Sequence, residues 1–439
     1  CGARKLCWLC RESPGTVLWC PFALDERMPR TTPFHSRLEP LSQTRIWKNW
    51  SGFLVAPQYQ HSITNEYYAI RNSVSLLDTS PLFKYRFTGA GAQRLLERAL
   101  VRDIRKCALG RAQYTCFCDE RGFVVQDGVA MHVAADEYWL TAADPALRYF
   151  QTLARDLQCS DVCVEDISDQ YGILALQGPH AYDVLSQITD AASSLRYFGV
   201  TQFEVEGRPI TVSRSGYTGD LGYELWIRSS DAEAIWDILM RAGKGYNLTP
   251  IGTTALKMAR VEAGLLLMGT DFHTSRYAWV DEERETPNEL GWSWMLGDLQ
   301  QDDRQFIGRT AIESEMQSGT SRWQTVGLTV DWHDYERVFS EAGILPPRHE
   351  VYGESTMSIY RRNDKEWDYA GYASSFLHSP LLRKPIAIAK LPLDLLDPGA
   401  EVDLEVQVIR RPQNVLARVE SMPFFNPDRK TAPMNGSSR

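Results

Sequence analysis

The stretch SRSGYTGDLGYELW, residues 213–226, combines glycines at a regular spacing of three with a carboxylate inside an aromatic segment. Glycine adopts backbone conformations that a Cβ forbids, so the chain can turn sharply between the extended segments 209–214 and 222–227. We therefore expect a β-hairpin here. Because side chains alternate between the two faces of a strand, Glu224 should share a face with Trp226.

Glu224 has two interpretations at this point. A carboxylate among apolar groups is unfavourable unless it is paired, and a flat heterocycle with two adjacent N–H donors would satisfy both of its oxygens. In the alternative, the strand is an exposed edge on which Glu224 is solvated or paired with Arg214. Residue types alone favour this alternative, since lone carboxylates on strands are usually solvated.

Length and composition indicate an ordinary globular protein. The 439 residues are 44% hydrophobic and 23% charged, which is typical of a chain with about two to four domains. The net charge of −9 provides no basic footprint for nucleic acid, and no run of about 18 apolar residues predicts a membrane helix. Histidines show no metal-ligand spacing, and the cysteines beyond residue 100 show no disulfide pattern, which favours a reducing cytoplasm. The motifs of serine hydrolases, P-loop proteins and Rossmann proteins are missing.

Residues 1–27 differ in character from the rest of the chain, because four of the nine cysteines lie within the first twenty residues. Met28 is a plausible natural start, so we expect residues 1–27 to be a disordered leader or a non-native segment. The alternative is a metal site at Cys7 and Cys10. No second ligand pair at zinc spacing follows them, which argues against that site.

Hydrophobic periodicity predicts helices and strands in alternation over most of the chain. An aromatic strand followed by a capped helix occurs twice, which suggests a pair of related α+β units within residues 28–318. The predicted strands are 112–117, 123–133, 138–141, 173–176 and 223–227. The predicted helices are 64–77, 89–101, one opened by Asp144-Pro145, one starting near 177, one opened by a capping box at Ser230 and Glu233, and 251–263.

The character changes after about residue 320, where short strands are separated by Gly and Pro. This pattern predicts a β-barrel-like C-terminal domain over residues 319–425. The last segment, 426–439, contains Pro, Asn, Gly and Ser and is expected to be a disordered tail. The expected fold class is therefore α+β with a terminal barrel.

Asp127 lies in an apolar strand directly before Gly128. Burial would raise the pKa of its carboxyl group and make it a proton acceptor or charge stabiliser, while Gly128 would let a ligand approach the backbone. In the alternative, which residue types favour, Asp127 caps a turn. By the same criterion Tyr114 is a core aromatic, and Arg260 and Glu262 form a solvated helix face or a surface ion pair.

A set of segments together resembles the glycine-cleavage T-protein family of tetrahydrofolate-dependent aminomethyltransferases and methyltransferases. The segments occur in the family's order over roughly 34–425, and the hairpin segment is the most specific of them. They are RNSVSLLDTS (71–80), 110–114, 122–129, LALQGP (174–179), SRSGYTGDLGYE (213–224), ARVEAG (259–264), LGW (290–292), FIGRTA (306–311) and 371–389.

The resemblance implies a three-domain cloverleaf with folate in a central channel. It implies that Asp127 is the catalytic aspartate and that Glu224 holds the pterin ring through two charge-assisted hydrogen bonds. The other cofactor-binding residues that it implies are Tyr114, Tyr217, Arg260 and Trp292. The implied reaction moves a methylene or methyl group to N5 of tetrahydrofolate, with Asp127 stabilising charge.

The chain departs from the family at the donor end of the implied site. The family's usual arginine is replaced by Leu256, and its usual His-Met pair is replaced by Pro81-Leu82. A usual tyrosine is Met131. These departures favour a small methylated donor, as in a folate-dependent O-, S- or N-demethylase, over the lipoyl carrier protein of a true T-protein. A non-catalytic folate-binding module is a further alternative, against which the retained Asp127 argues.

Overall fold

A computed structural model describes residues 29–297, 299, 303–347, 356–363 and 368–434. The expectations for residues 1–27, including Cys7 and Cys10, lie outside the described residues. The helices are α1 (His35–Leu38), α2 (Ile63–Asn72), α3 (Ala92–Ala99), α4 (Leu147–Asp156), α5 (Ala181–Ser186), α6 (Ala232–Gly243), α7 (Thr253–Glu262), α8 (Arg309–Ser318) and α9 (Trp332–Glu341). None of these helices is long and apolar enough to cross a membrane.

The strands form a short hairpin, two larger sheets and a barrel. The strands are β1 (Lys48–Trp50), β2 (Phe53–Val55), β3 (Val74–Asp78), β4 (Phe83–Thr88), β5 (Arg111–Cys118), β6 (Val124–Ala134), β7 (Glu137–Ala142), β8 (Cys163–Asp166), β9 (Tyr171–Gln177), β10 (Val200–Val205), β11 (Arg208–Ser213), β12 (Gly222–Arg228), β13 (Leu248–Pro250), β14 (Gln324–Val330), β15 (Met357–Arg361), β16 (Tyr369–Ser379), β17 (Lys384–Leu391), β18 (Glu401–Val408) and β19 (Arg411–Glu420).

The first large sheet has the strand order β10-β11-β12-β9-β3-β13. It contains the predicted hairpin, in which β11 and β12 pair antiparallel with Ser213 opposite Glu224. Tyr223 and Leu225 face α5 and α6 and are buried with Leu239, while Trp226 faces the other way. The predicted alternation of faces along β12 is therefore confirmed.

The second large sheet has the order β5-β6-β7-β4-β8 and carries α3 and α4 on its outer face. Its inner face packs on the inner face of the first sheet. Trp139 of β7 and Trp226 of β12 meet across this interface, with ring centroids 5.2 Å apart. The two sheets thus bury their aromatic residues against each other and leave their helices outside.

The chain moves between these sheets more than once. Strand β3 lies in the first sheet, the next strands, β4 to β8, build the second sheet, and β9 then returns to pair with β3. The second unit is therefore inserted between neighbouring strands of the first.

Strands β14-β17-β16-β15-β18-β19 close into a barrel, which runs from Gln324 to Glu420. Its interior is filled by small and branched residues such as Leu328, Ile359 and Ala387, and α9 covers it with Tyr335. The α+β class with a closed C-terminal barrel, expected from the sequence, is confirmed.

Local expectations differ from the structure where tertiary pairing overrides a local pattern. The helix expected over 64–77 ends at Asn72, because the following residues form β3, which is buried on both faces between β9 and β13. Asp144 does not cap α4, whose N-cap is Ala146. The capping box at Ser230 does not form, since α6 begins after Asp231 without a side-chain cap.

The segment expected as a disordered tail is ordered as far as the structure describes it. Asp428–Lys430 form a 3-10 turn, and Arg429 pairs with Asp220 of the hairpin connection. Disorder was predicted from the polar composition of the segment. Composition alone does not show that buried charged residues elsewhere in the chain bind it.

Candidate functional site

A cavity of about 1020 Å³ lies where the two sheets, α7 and the barrel meet. Ligand pockets in proteins usually span about 300–1000 Å³, so this cavity has room for a large ligand and a second reactant. Five of the six predicted site residues line it. They are Tyr114, Asp127, Tyr217, Glu224 and Trp292.

Asp127 lies in the middle of β6, so the alternative that it caps a turn is wrong. It pairs with Cys116 across the ladder, which places Tyr114 of β5 diagonally opposite. The Tyr114 hydroxyl donates to Asp127 Oδ2 at 2.6 Å. Burial raises the pKa of the Asp127 carboxyl to about 6, although the bond from Tyr114 opposes this shift. A carboxylate with this pKa can exchange a proton near neutral pH.

Gly128 lets β6 and β7 approach closely beside Asp127. A Cβ at this position would lie 2.0 Å from the backbone oxygen of Thr141, so no other residue fits without separating the strands. Gly128 also lines the cavity, so the expectation that a ligand can approach its backbone stays a prediction.

Aromatic rings surround the Asp127 side of the cavity. The Tyr114 ring meets Trp292 edge to face, with centroids 5.7 Å apart, and Trp292 meets Phe272 in the same way at 5.2 Å. Such edge-to-face pairs hold ring orientations fixed. Burial and the nearby Asp127 carboxylate raise the pKa of Tyr114, so its hydroxyl remains a proton donor.

Glu224 is half-buried on β12, an interior strand between β11 and β9, so the edge-strand alternative is wrong. The Ser215 hydroxyl donates to Glu224 Oε2, and Ser213 is hydrogen-bonded to Ser215 at 2.7 Å. Within the described part of the chain, Oε1 has no hydrogen-bond partner. Burial raises the pKa of the Glu224 carboxyl, so a donor from a ligand would favour its ionised form.

Arg214 does not pair with Glu224. One of its guanidinium nitrogens donates to Leu195 O at 3.1 Å, and the other donates to carbonyl oxygens of the C-terminal segment. Glu224 therefore lines the cavity without forming an ion pair with Arg214.

Tyr217 projects from the connection between β11 and β12, and its hydroxyl donates to Leu266 O. Gly216 beside it makes room for the Gln177 side chain, since a Cβ there would lie 2.0 Å from Gln177 Oε1. The Gln177 amide in turn donates to Ser215 O at 3.1 Å. The glycines of this stretch thus admit a buried amide that holds the connection in shape.

Arg260 is the exception among the predicted site residues. Its guanidinium is fully buried, pairs with Asp271 and donates to Ser375 Oγ of β16 at 2.8 Å. It does not belong to the residues that line the cavity. The alternative of a solvated face or surface pair is wrong, because β16 covers this end of α7, whereas a role of Arg260 in cofactor binding stays a prediction. Glu262 is likewise buried, where it accepts from Arg71 at 2.7 Å.

The positions at which the chain departs from the resembled family lie mostly on the cavity wall. Leu82, Met131 and Leu256 line it, as does Lys257, the neighbour of Leu256 in the sequence. Met131 is on the same face of β6 as Asp127, because the two are four residues apart along the strand. This part of the wall is largely apolar.

Sequence patterns did not identify some residues of the site. Ser215 lies within the hairpin stretch, nine residues before Glu224. Only the folded connection between β11 and β12 brings its hydroxyl to the Glu224 carboxylate. Lys430 also lines the cavity, although it lies in the segment expected to be disordered. Among the described residues, no group of His, Cys, Asp or Glu side chains is arranged to hold a metal ion.

Comparison with known proteins places these features in a wider context. The family model of the GCVT N-terminal domain matches residues 41–295. The chain is 29% identical over 393 residues to a heme-dependent oxidative N-demethylase gamma subunit of Ectopseudomonas mendocina, covering 89% of this chain and 94% of that protein. It is also 29% identical over 401 residues to an aminomethyltransferase of Saccharopolyspora erythraea, covering 90% and 98% respectively.

A solved structure shows the same fold. The glycine cleavage system aminomethyltransferase T from Bartonella henselae superposes with a TM-score of 0.75 at 22% identity, covering 91% of this chain and 99% of the other. At this identity the likeness concerns the fold alone.

Proposed function

Because this chain belongs to the GCVT, or glycine-cleavage T-protein, family, we propose that it transfers a one-carbon unit to N5 of tetrahydrofolate within the central cavity. The observation that carries the proposal is the pair of half-buried carboxylates, Asp127 and Glu224, on the walls of one large cavity. Their surroundings differ, which fits a reacting group and a binding group respectively.

Glu224 fits the binding role. Its Oε2 is already held by Ser215, while Oε1 has no hydrogen-bond partner among the described residues. The amine and ring N–H of a pterin would supply two parallel donors to this carboxylate. Tyr217 and Trp292 would enclose the ligand from the sides.

Asp127 fits the reacting role. When bound, tetrahydrofolate supplies the nucleophilic N5 that receives the carbon. The Asp127 carboxylate, oriented by Tyr114, would stabilise positive charge on that nitrogen and accept its proton. The aromatic wall with Trp292 would exclude water from the reacting atoms.

The donor is either an aminomethyl-lipoyl carrier protein or a small methylated molecule. The apolar wall at Leu82, Met131 and Leu256 supports the second, because it suits a methyl group and lacks the polar residues usual at these positions. A folate-dependent demethylase is therefore the second candidate function.

The experiment measures folate binding by calorimetry and then identifies the folate product by mass. The protein is incubated with tetrahydrofolate and each candidate donor in turn. Methylenetetrahydrofolate from aminomethyl-lipoyl protein would support the aminomethyltransferase, and 5-methyltetrahydrofolate from a methylated molecule would support the demethylase. Glu224→Gln should lose folate affinity, whereas Glu204→Gln, an exposed carboxylate on β10, should not. A wild-type protein that binds no folate contradicts the proposal.

A further inference from the structure

Arg102 lies beside the cavity, in the connection between α3 and β5. Its backbone N–H donates to Thr115 Oγ1 at 3.3 Å, and its guanidinium Nη1 donates to the carbonyl oxygen of Tyr114 at 3.2 Å. The guanidinium also stands over the ring of Trp294, 5.2 Å from the ring centroid. Tyr114 and Trp294 both line the cavity, so two wall residues hold Arg102 at its rim.

The positive charge of Arg102 has no carboxylate partner in the part of the chain that the structure describes. The neighbouring carboxylate, Asp103, accepts instead from Arg105 Nε at 3.0 Å. Burial lowers the pKa of the Arg102 guanidinium, and the Cys107 thiol opposes this shift. A cation that is partly removed from water without an anion is unfavourable, so an anionic group of a ligand would stabilise this position.

The guanidinium of Arg102 also has donors to spare. Its N–H groups form a planar fork that matches the two oxygens of a carboxylate. Among the described residues only Nη1 makes a hydrogen bond, so Nε and Nη2 keep their donors. Arg102 is half-buried, which leaves these donors open to a ligand that emerges from the cavity.

Trp294 extends the aromatic wall of the cavity to the solvent. It is 57% exposed and lies on the 3-10 turn Ser293–Met295, directly after Trp292, whose ring meets Tyr114 edge to face. An exposed indole on a cavity wall offers a contact for an aromatic part of a ligand. Arg102 and Trp294 therefore place a cation and an aromatic ring side by side at the rim.

Tyr114 connects this rim to the reacting end of the site. Its hydroxyl donates to Asp127, while its backbone carbonyl accepts from Arg102. One tyrosine residue thus bridges from the Asp127 carboxylate to the Arg102 guanidinium. In tetrahydrofolate the p-aminobenzoyl group, likewise one aromatic ring with its links, joins the pterin that carries N5 to the glutamate.

We propose that Arg102 binds a carboxylate of the glutamyl tail of folate at the rim of the cavity, an inference that rests on the proposed function. With N5 at Asp127, the p-aminobenzoyl ring passes Trp294 and the tail meets the guanidinium. The recognition is a pair of parallel charge-assisted hydrogen bonds, for which arginine is better suited than lysine.

The test compares folic acid with its dimethyl ester, in which both carboxylates of the tail are neutral and the rest of the ligand is unchanged. Calorimetry gives the dissociation constants of both for the wild-type protein, Arg102→Leu and Arg102→Lys. Arg102→Leu should weaken folic acid about tenfold, the loss expected for a charge-assisted contact, and should leave the ester within about twofold. Arg102→Lys should lose less than Arg102→Leu. The matched control is Arg148→Leu, an exposed arginine of α4, which should change neither constant.

The readout is the ratio of the two dissociation constants, because a partly unfolded variant reduces the apparent affinity for both ligands by the same factor. An unchanged ratio in Arg102→Leu overturns the inference. If that ratio is unchanged while the KM of a carboxylate-bearing methyl donor rises, Arg102 binds the donor and its assignment to the folate tail is wrong. If the wild-type protein binds neither folic acid nor the ester, the proposed function fails as well. If Glu224→Gln loses folic acid while Arg102→Leu keeps the wild-type ratio, only the role of Arg102 fails.

Discussion

Asp127 and Glu224 show how the same functional group acquires different properties within one cavity. Burial raises the pKa of both carboxyl groups. Asp127 accepts from the phenol of Tyr114, whereas Glu224 accepts from the Ser215 hydroxyl. The phenol belongs to an aromatic wall and the serine to the hairpin connection, and this difference in surroundings supports the proposed division into a reacting group and a binding group.

The substitution Asp127→Asn tests the reacting role. We expect folate binding within about threefold of wild type, because the amide keeps the shape of the carboxyl group. Turnover should fall by about 10²–10⁴-fold, the usual contribution of a positioned proton acceptor. Calorimetry and single-turnover product analysis measure the two quantities separately. Wild-type turnover in this variant would remove Asp127 from the chemistry.

The pH dependence of kcat/KM should follow the same carboxyl group. Its pKa is raised to about 6, so the ionised fraction decreases as the pH falls through this value. Activity that depends on the carboxylate should therefore be full above about pH 7 and fall roughly tenfold per pH unit well below pH 6. Residual activity of Asp127→Asn should lack this acidic limb. A limb that persists in the variant would assign it to another group.

Sequence reasoning reaches some of these residues and misses others for physical reasons. The resemblance and the glycine spacing drew attention to Asp127 and Glu224, which do line one cavity. Arg260 was expected on a solvated helix face, because a charged residue near a helix end is usually exposed. Nothing in the neighbouring sequence shows that β16 covers it. Lys430 was missed because its position depends on a distant arginine, Arg214, that binds backbone carbonyls.

At the scale of elements, the close approach of β6 and β7 positions Asp127. Replacing Gly128 by Ala would place a Cβ 2.0 Å from Thr141 O, so the strands must separate. We expect Gly128→Ala to lower the free energy of unfolding by about 2–4 kcal/mol, as overpacking against backbone does. Denaturant unfolding measures this loss. Gly245→Ala is the control, since no atom lies within 4 Å of its added Cβ, and equal effects would contradict the prediction.

Elements were predictable where local pattern and tertiary role agree. The side chains of β12 alternate between two faces as the sequence predicts, and α3 shows its apolar face in the sequence. Strand β3 was mistaken for the end of a helix, because a strand buried on both faces has no period of two. The Ala, Gly and Ser residues of β16 carry little strand preference, so this strand depends on its pairing within the barrel.

At the scale of the molecule, buried charges join α7 to the barrel. Asp271 accepts from Arg260 of α7 and, through Oδ1, from Ser374 and Ser375 of β16 at 2.7 and 2.6 Å. Such a network links the barrel rigidly to the helix beside the cavity.

Arg260→Leu should leave Asp271 as an uncompensated buried charge. The expected loss in the free energy of unfolding is about 3–5 kcal/mol. The control is Arg30→Leu, whose partner is Asp169 in a pair with 57% and 68% of the side chains exposed, and which should change stability by less than about 1 kcal/mol. Urea unfolding compares the two. Wild-type stability of Arg260→Leu with lost folate binding would restore Arg260 to the ligand site.

The insertion of β4 to β8 between β3 and β9 has a consequence for synthesis on the ribosome. Residues 83–166 form a continuous stretch that completes its own sheet as soon as it has emerged. Strand β3 is synthesised earlier, but its backbone hydrogen-bonding partners are β9 and β13. Both edges of β3 therefore stay unpaired until these later strands have left the exit tunnel. The later part of the nascent chain thus matures before the earlier part, which reverses the usual order of vectorial folding.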